Sequence, residues 1–414
     1  MANETVLISG ASIAGPALAY WLRRHGFTPT VVEVAPGLRP GGQAVDLRGA
    51  GREVVERMGL IPRVREDRVD ERGVANVDAN GRWVARMPAD LFGGEGIVAE
   101  IEIMRGDLTR ILHDATAGEV EYLFADRITE LDQGDTGVRV RFASGTVRTF
   151  DLVVGADGVH SGVRRLAFGS EDEYVRPLGG YTAYFTVPDP GDLDDWFLMY
   201  NAPGGRVAGI RPERGGTAKA MLSFTSPPLE YDRRDVRQQQ RLLTDAFAAV
   251  GWRVPALLDA LADAPDFFFD SICQVHVPNW SRGRVTLLGD AGYCGSPLTG
   301  MGTSMALVGA YVLAGEMASA RDDHGLAFAR YQETMRDYVR QCQELPPGGI
   351  GGFAPQSRLM IWARNQSMRM MGHWPMRGIL ARQFQKADAI TLPDYANLAV
   401  GAARNGLRPR RSGE

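Results

Sequence analysis

The chain has 414 residues, 44% of them hydrophobic and 23% charged, which is typical of a soluble globular protein with two or three domains. Its formal net charge of −4 gives no reason to expect a nucleic-acid partner. The three cysteines, Cys273, Cys294 and Cys342, are too few and too widely spaced for a disulfide framework or a zinc site. We therefore expect a cytoplasmic protein without a bound metal.

The N-terminus starts directly with a strand pattern and lacks the basic segment of a secretory signal. No apolar run reaches the roughly 18 residues that a membrane-spanning helix needs. We therefore expect no membrane partner.

The first part of the chain has the pattern of a parallel βαβ unit. A buried strand is predicted at 5–9, a tight turn at 10–15, a helix at 16–25 and a second strand at 30–34. Further strands are predicted at 44–47, 121–124, 138–142 and 152–155, and helices at 51–58 and 105–113.

From about residue 174 the pattern changes to short, aromatic-rich strands typical of an antiparallel sheet, at 181–187, 197–200, 207–211 and 218–224. Helices are predicted at 238–250 and 254–262, then a buried strand at 284–288 and a long helix at 300–320. The chain is thus expected to leave its first domain, build a second sheet and return.

The last segment, 355–384, is predicted to be helical and rich in methionine: Met360, Met368, Met370, Met371 and Met376. We expect it to pack across both domains, either as core filling or as a flexible wall for a bulky ligand. The tail, 408–414, is expected to be disordered.

The motif Gly10-Ala11-Ser12-Ile13-Ala14-Gly15 lies between a predicted strand and a predicted helix. Backbone N–H groups and the positive end of a helix suit a diphosphate, and glycine allows it to approach closely. Ser12 replaces the middle glycine of the usual pattern, and Glu33 ends the next strand, where a ribose-binding carboxylate is expected. Taken alone, the motif fits NAD, FAD or a purely structural turn.

Two further motifs follow buried strands. The segment 151–161 contains Gly155-Ala156-Asp157-Gly158, and the segment 284–292 ends in Gly289-Asp290-Ala291-Gly292. Carboxylates at this edge of an open α/β sheet are well placed for a ligand, although Asp-Gly is also a common turn. Pro297 and Gly300-Met301-Gly302 then precede the long helix, whose bare N–H groups would stabilise negative charge.

In this order, the motifs resemble the class A FAD-dependent aromatic hydroxylases of the para-hydroxybenzoate hydroxylase fold, and within them the tetracycline-modifying and polyketide-tailoring monooxygenases. The resemblance covers about residues 5–320 and is carried by 10–15, 33, 41–47, 105–108, 151–161 and 284–302. It implies an α/β (α+β) fold with a Rossmann-like FAD-binding domain (1–173 and 275–340). An inserted antiparallel substrate domain (174–274) and a C-terminal bridging helix and tail (341–414) complete it.

The resemblance also implies roles for individual residues. Those facing the FAD diphosphate would be Gly10, Ser12, Ile13, Ala14 and Gly15. Glu33 would hold the adenosine ribose, Arg105 the diphosphate or ribityl chain, and Asp46 the ribityl or ring region. Asp157 lies in the motif that such enzymes share between FAD and NAD(P)H, and Arg39 is a weaker candidate for the nicotinamide cofactor. Asp290 would bind the ribityl hydroxyls, while the flavin ring would be flanked by Pro297, Gly300, Met301 and Gly302.

The implied activity is hydroxylation of a bulky aromatic or polyketide-type molecule. The implied sequence is hydride transfer from NADPH or NADH to FAD, reaction with O₂ to a flavin C4a-hydroperoxide, and oxygen transfer to the substrate. No catalytic side chain is assigned, because the flavin carries the chemistry. The enzyme is expected to be a monomer or homodimer.

The substrate is expected between the flavin and the second sheet. The candidate contacts are Gln43, Tyr184, Phe185, Met199, Arg211, Phe224 and Tyr293. For each of them, ordinary packing remains an open alternative. Arg211 stands out, because a charge on a strand needs a partner or solvent.

One departure concerns the third motif, where many relatives have Asp-Ala-Ala-His and this chain has Asp290-Ala291-Gly292-Tyr293. Two other functions stay open at this point. One is a flavin-dependent reductase or dehydrogenase of a biosynthetic intermediate with the same fold. The other is a non-enzymatic flavoprotein that sequesters an aromatic antibiotic.

Overall fold

The computed structural model describes residues 4–39, 41–89, 101–370 and 385–398. The predicted tail and the end of the predicted C-terminal helix, with Met371 and Met376, lie outside the described residues.

The strands are, in chain order, β1 (Thr5–Ser9), β2 (Thr28–Glu33), β3 (Ala44–Leu47), β4 (Gly73–Val77), β5 (Trp83–Pro88), β6 (Ile101–Met104), β7 (Glu121–Phe124), β8 (Ile128–Gln133), β9 (Val138–Phe142), β10 (Val147–Phe150), β11 (Leu152–Gly155), β12 (Val175–Pro188), β13 (Trp196–Ala202), β14 (Arg206–Pro212), β15 (Thr217–Thr225), β16 (Phe267–Val275), β17 (Ser281–Arg282) and β18 (Val285–Leu287).

The helices are α1 (Ala14–Arg24), α2 (Gly49–Arg57), α3 (Ile61–Glu66), α4 (Arg105–Asp114), α5 (Gly162–Ala167), α6 (Val236–Phe247), α7 (Val254–Ala260), α8 (Asp290–Tyr293), α9 (Gly302–Ser319), α10 (His324–Gln343), α11 (Gly349–Phe353) and α12 (Arg358–Met370). Among the described residues, no helix is both long and apolar enough to cross a membrane.

A six-stranded sheet, in the order β17-β18-β11-β1-β2-β7, forms the centre of the first domain. Its strands from β18 to β7 run parallel, and β1, β11 and β18 are buried along most of their length. Helix α9 is buried nearly all round, which explains its uninterrupted apolar sequence. The carboxyl ends of β1, β11 and β18 therefore lie at one edge of the sheet, together with the turns that follow them.

A seven-stranded sheet, in the order β16-β12-β15-β14-β13-β4-β5, forms the second domain. One of its faces packs against α6 and α7 in a separate apolar core that contains Phe185, Leu222 and Phe247. The other face carries Met199 and Met221 and packs against α11 and α12. The predicted fold class, a parallel nucleotide-binding sheet with an inserted antiparallel sheet, is confirmed.

The division of the chain needs one correction. Residues 1–173 were assigned to the first domain as a block, but β4 and β5 belong to the second sheet, where β4 runs parallel to β13. The local sequence of such a short strand does not indicate which other strand it pairs with. The two-stranded sheet of β3 and β6 lies between the domains, with Asp46 opposite Glu102.

Candidate functional site

The glycine-rich turn after β1 is packed directly against the end of β11. Gly10 has a φ of +109°, and a Cβ atom added there would lie 2.4 Å from the carbonyl oxygen of Ala156. A Cβ atom on Gly15 would lie 1.9 Å from the carbonyl oxygen of Gly10. Only glycine fits at these positions, and the turn is held close to the sheet.

The N-terminus of α1 opens from this turn, and no side chain among the described residues caps it. The carboxylate of Glu33 accepts hydrogen bonds from the N–H groups of Ala11 and Ala35, both at 2.9 Å. Arg39, which is largely exposed, pairs with the same carboxylate at 3.3 Å. The free N–H groups of the first helical turn thus face an edge that also carries a carboxylate.

Arg105 extends its guanidinium over the same turn and donates to Ser12 Oγ at 3.2 Å. The backbone N–H groups of Arg105 and Gly106 bond to the carbonyls of Gln43 and Gly41, which fixes the base of the side chain. Burial lowers the pKa of Arg105, and no carboxylate of the described chain lies within ion-pair distance. A buried cation of this kind beside a helix N-terminus is suited to bind an anion.

Asp157 is engaged within the protein. Its carboxylate accepts hydrogen bonds from Ser161 Oγ at 2.5 Å, Val163 N–H at 3.1 Å and Ser9 Oγ at 3.3 Å. Burial raises its pKa, while Ser161 and Val163 oppose that shift. The side chain of Asp157 therefore connects the end of β1 to the start of α5, and these hydrogen bonds stabilise the loop after β11.

Two carboxylates face the loop before α9. A Cβ atom on Gly300 would lie 3.8 Å from Asp46 Oδ2, and one on Gly302 would lie 3.8 Å from Asp290 Oδ1. Pro297 and Gly300 are exposed, and Met301, which is buried, offers no side-chain cap to α9. Burial raises the pKa of both carboxyl groups, that of Asp46 to about 6.

Ser296, which precedes this loop, has a φ of +81°, a backbone conformation that costs energy for a residue with a side chain. Such residues concentrate at ligand sites. Nothing in the local sequence indicated this conformation.

Arg211 is neutralised by two buried carboxylates. It donates to Glu71 Oε2 at 2.5 Å and to Glu102 Oε1 at 2.7 Å, and its own side chain is 11% exposed. Burial alone would lower the pKa of Arg211, but Glu102 and Glu71 raise it. Glu102 is the strand partner of Asp46, so this ion network connects the second sheet to the loop region. Sequence reasoning missed both glutamates.

The predicted substrate contacts on the second sheet lie on two opposite faces, because side chains alternate between the faces along each strand. Tyr184, Met199 and Arg211 lie on the face of the second sheet away from α6 and α7. Phe185 and Phe224 lie on the opposite face and are buried in the core of that domain. We correct these two assignments, because successive side chains of a strand point to opposite faces.

Tyr293 is also a core residue. Its hydroxyl is within 2.8 Å of the Tyr331 hydroxyl, and its ring packs on Trp280 at 4.5 Å between centroids. It is 1% exposed and is covered by α9 and α10, so it does not line a pocket. Gln43 contributes a backbone carbonyl to Arg105, and its side-chain role stays a prediction.

His160 joins the loop after β11 to the second sheet. Its ring nitrogens lie 2.9 Å from Asp270 on β16 and 3.1 Å from Glu171. Arg233 pairs with Glu171 and contacts the ring. Burial disfavours the charged ring, but Asp270 and Glu171 raise the pKa of His160 to about 9. The sequence motif contained His160 but did not indicate this contact.

Comparisons with known proteins agree with this geometry. A family model described as an FAD binding domain matches residues 3–342. An uncharacterized protein of Mycobacterium tuberculosis is 46% identical over 354 residues, 85% of this chain and 95% of that protein. A flavin-dependent monooxygenase of Legionella longbeachae is 36% identical, covering 95% of this chain and 98% of its own length. The crystal structure of tetracycline destructase Tet(51) has a TM-score of 0.81 at 34% identity, covering 95% and 99%.

The chain belongs to this FAD-binding family. It is an FAD-dependent monooxygenase of the class A aromatic hydroxylase type, and the predicted resemblance is confirmed. The residues present fit FAD. An uncapped helix N-terminus, a turn that excludes side chains and a guanidinium without a carboxylate partner in the described chain suit its diphosphate. Among all the residues that the structure describes, no group of His, Cys, Asp and Glu side chains is arranged to hold a metal ion.

We expect Gly10→Ala to release FAD. The new Cβ atom would meet the Ala156 carbonyl, and the positive φ would strain the residue by about 1–3 kcal/mol. Displacement of the turn should weaken FAD binding by about 10- to 100-fold. The flavin absorbance per protein after purification and dialysis measures this effect. Gly37→Ala is the control, because an added Cβ there has nothing within 4 Å. Equal flavin content in both variants would contradict the prediction.

The stabilisation that His160 provides should depend on pH. Its pKa is about 9 in the folded protein and about 6.5 in an unfolded chain. Its contribution is therefore fully present below about pH 6.5 and is lost as pH rises to about 9. The difference in melting temperature between the unsubstituted protein and His160→Asn should shrink over that range. For the control His324→Asn, whose imidazole pKa is lowered, the difference should not shrink in that range. A constant difference for His160→Asn would refute the assignment.

Proposed function

We propose that this enzyme uses NADPH or NADH and O₂ to hydroxylate a bulky aromatic or polyketide-type small molecule. The observation that carries the proposal is the face of the second sheet that carries Tyr184, Met199 and Arg211. On it, Met199, Met221 and, from α12, Met368 form a buried apolar cluster, each 7–8% exposed. Because methionine side chains are flexible, this cluster can rearrange around a large planar ligand.

The relatives support a ligand of this size. The structural neighbour Tet(51) is named a tetracycline destructase, and tetracycline has four fused rings. Similarity over 95% of this chain includes the second sheet. A multi-ring, phenolic substrate class is therefore the one that we propose here.

In this proposal, Gly10, Ser12, Ile13, Ala14, Gly15 and Arg105 hold the FAD diphosphate, and Glu33 holds the adenosine ribose. Asp46 and Asp290 bind the ribityl chain. The flavin ring is flanked by Pro297, Gly300, Met301 and Gly302. Asp157 supports FAD through the loop that it braces, and Arg39, as an exposed cation, is the candidate for the nicotinamide cofactor.

Bound FAD supplies the redox chemistry, by accepting a hydride from NAD(P)H and activating O₂. The protein contributes binding and orientation. The N–H groups at the start of α9 stabilise negative charge at the cofactor edge. Methionine and aromatic side chains of the second sheet exclude water from the space in which the substrate is oriented.

An oxygen-labelling experiment tests the proposal and separates it from the reductase alternative. The FAD-loaded protein is incubated with NADPH or NADH and a panel of two- to four-ring phenols that includes tetracycline. We expect ligand-stimulated NAD(P)H oxidation, equal O₂ uptake and one ¹⁸O atom in the product under ¹⁸O₂. Product formation without O₂ would instead identify a reductase. Failure to oxidise NAD(P)H under any condition would favour a sequestering flavoprotein. Free FAD with the same panel controls for uncatalysed oxidation.

A further inference from the structure

Helix α12 places two polar residues in the middle of the side that faces the second sheet. Ile361, Arg364, Asn365 and Met368 follow one another at the spacing of one helical face and are half-buried or buried. The neighbouring Leu359 and Trp362 are exposed. Arg364 and Asn365 therefore point toward the sheet in a stripe that would otherwise be apolar.

The guanidinium of Arg364 has no carboxylate partner among the described residues. It donates to the side-chain oxygen of Asn201 on β13, and Asn365 accepts from Asn76 on β4 at 2.8 Å. Burial lowers the pKa of Arg364 to about 10, and no neighbouring charge opposes the shift. Arg364 thus remains a cation whose contacts in the described chain are neutral.

The two buried cations on the strands of this sheet, unlike the half-buried Arg364 of α12, are neutralised. Arg211 lies between Glu71 and Glu102, and Lys219 pairs with Asp266 at 2.7 Å and Glu213 at 3.2 Å. Withdrawing an unpaired cation from water is unfavourable unless another group compensates for the lost hydration. A bound anion would supply that compensation at Arg364.

A second observation beside Arg364 also points to a ligand. Asn76 is 2% exposed, and its Oδ1 atom has no hydrogen-bond partner within the described part of the chain. Asn201, which is 7% exposed, gives its Nδ2 hydrogen to the Phe353 carbonyl. A ligand here would meet guanidinium donors and a buried amide oxygen that can accept a hydrogen bond.

The strand register relates this position to the cofactor end of the sheet. Asn201 is opposite Val207 on β14, and Arg211 lies four residues further along the same strand. Four residues of a strand span about 13 Å. Met199, opposite Gly209, lies between the two positions. This span equals the length of several fused rings.

We infer that Arg364, positioned by Asn201, binds an acidic oxygen of the substrate at the end remote from Arg211 and the cofactor, while Asn76 Oδ1 accepts a hydrogen bond from a neighbouring hydroxyl of the same ligand. The acidic oxygen belongs to a carboxylate, phenolate or enolate, each of which offers a charge to the guanidinium. The inference rests on the proposed function, because it takes the ligand of this surface to be the substrate.

Paired probes test the inference by binding alone. Naphthalene-2-carboxylate, anthracene-2-carboxylate and anthraquinone-2-carboxylate are each compared with their carboxamides by calorimetric titration of the FAD-loaded protein without NAD(P)H. The unsubstituted protein should prefer the carboxylates. In Arg364→Met that affinity should fall by about 10- to 100-fold, while carboxamide affinity stays the same. Arg364→Lys should keep part of the preference.

Two control variants separate this role from a structural one. Arg369 lies on the same helix, is exposed and donates to the Val84 carbonyl, so Arg369→Met should leave both affinities unchanged. Arg364→Met should lower the melting temperature only slightly, since it leaves one neutral acceptor, Asn201 Oδ1, without its donor and exposes no carboxylate. Arg211→Met should lower it more, because Glu71 and Glu102 would be left unpaired.

Several results would overturn the inference. They are the absence of a carboxylate preference in the unsubstituted protein, an equal loss for both members of each pair in Arg364→Met, or a large fall in its melting temperature with affinities unchanged. The titrations use neither reductant nor turnover. A failed oxygenation assay would therefore leave the anion site standing, and a failed titration would leave the oxygenation assay standing.

Discussion

The ion pairs of Arg211 with Glu71 and Glu102 connect the two parts of the molecule that the activity requires. Arg211 belongs to the second sheet, whereas Glu102 is paired with Asp46 in the small sheet beside the α9 loop. The buried guanidinium depends on these acidic partners, and removing it would leave two acidic side chains buried without a cation. The position of the substrate surface relative to Asp46 and Gly300 thus depends on this contact.

A second constraint is the close approach of backbone to backbone at the edge of the parallel sheet. Gly10 leaves no room for a Cβ atom against Ala156, and Gly155 is similarly close to Val163 and Leu287. Asp157 then bonds Ser9 and the start of α5. The turn after β1 and the loop after β11 are therefore in direct contact, although the two motifs are far apart in sequence.

Local pattern was sufficient to predict the first domain. The predicted bounds of β1, β3, β7, β9 and β11 agree with the structure, because each is a short apolar or alternating run with turn residues or a clear change of pattern at its ends. The partner of β4 was beyond local pattern, since pairing with β13 depends on residues more than a hundred positions away. The same limit applies to the substrate candidates. Strand register decides that Tyr184 lies on the face that packs against α12 and Phe185 on the face that packs against α6 and α7.

The partners of the charged residues are the feature that was hardest to predict from the sequence. Arg211 stood out as a charge on a strand, yet the structure gives it two carboxylates that are distant in sequence. Arg164 is nearly inaccessible, and backbone carbonyls of Val159 and Ala291 receive its hydrogen bonds. Arg105 and Arg364 resemble Arg164 rather than Arg211, because each donates to a neutral group, Ser12 or Asn201, and neither has a carboxylate partner in the described chain. Burial of a cation is therefore not by itself a sign of function. What distinguishes Arg105 is its position beside the uncapped N-terminus of α1, and what distinguishes Arg364 is the nearby amide oxygen of Asn76 that has no partner in the described chain.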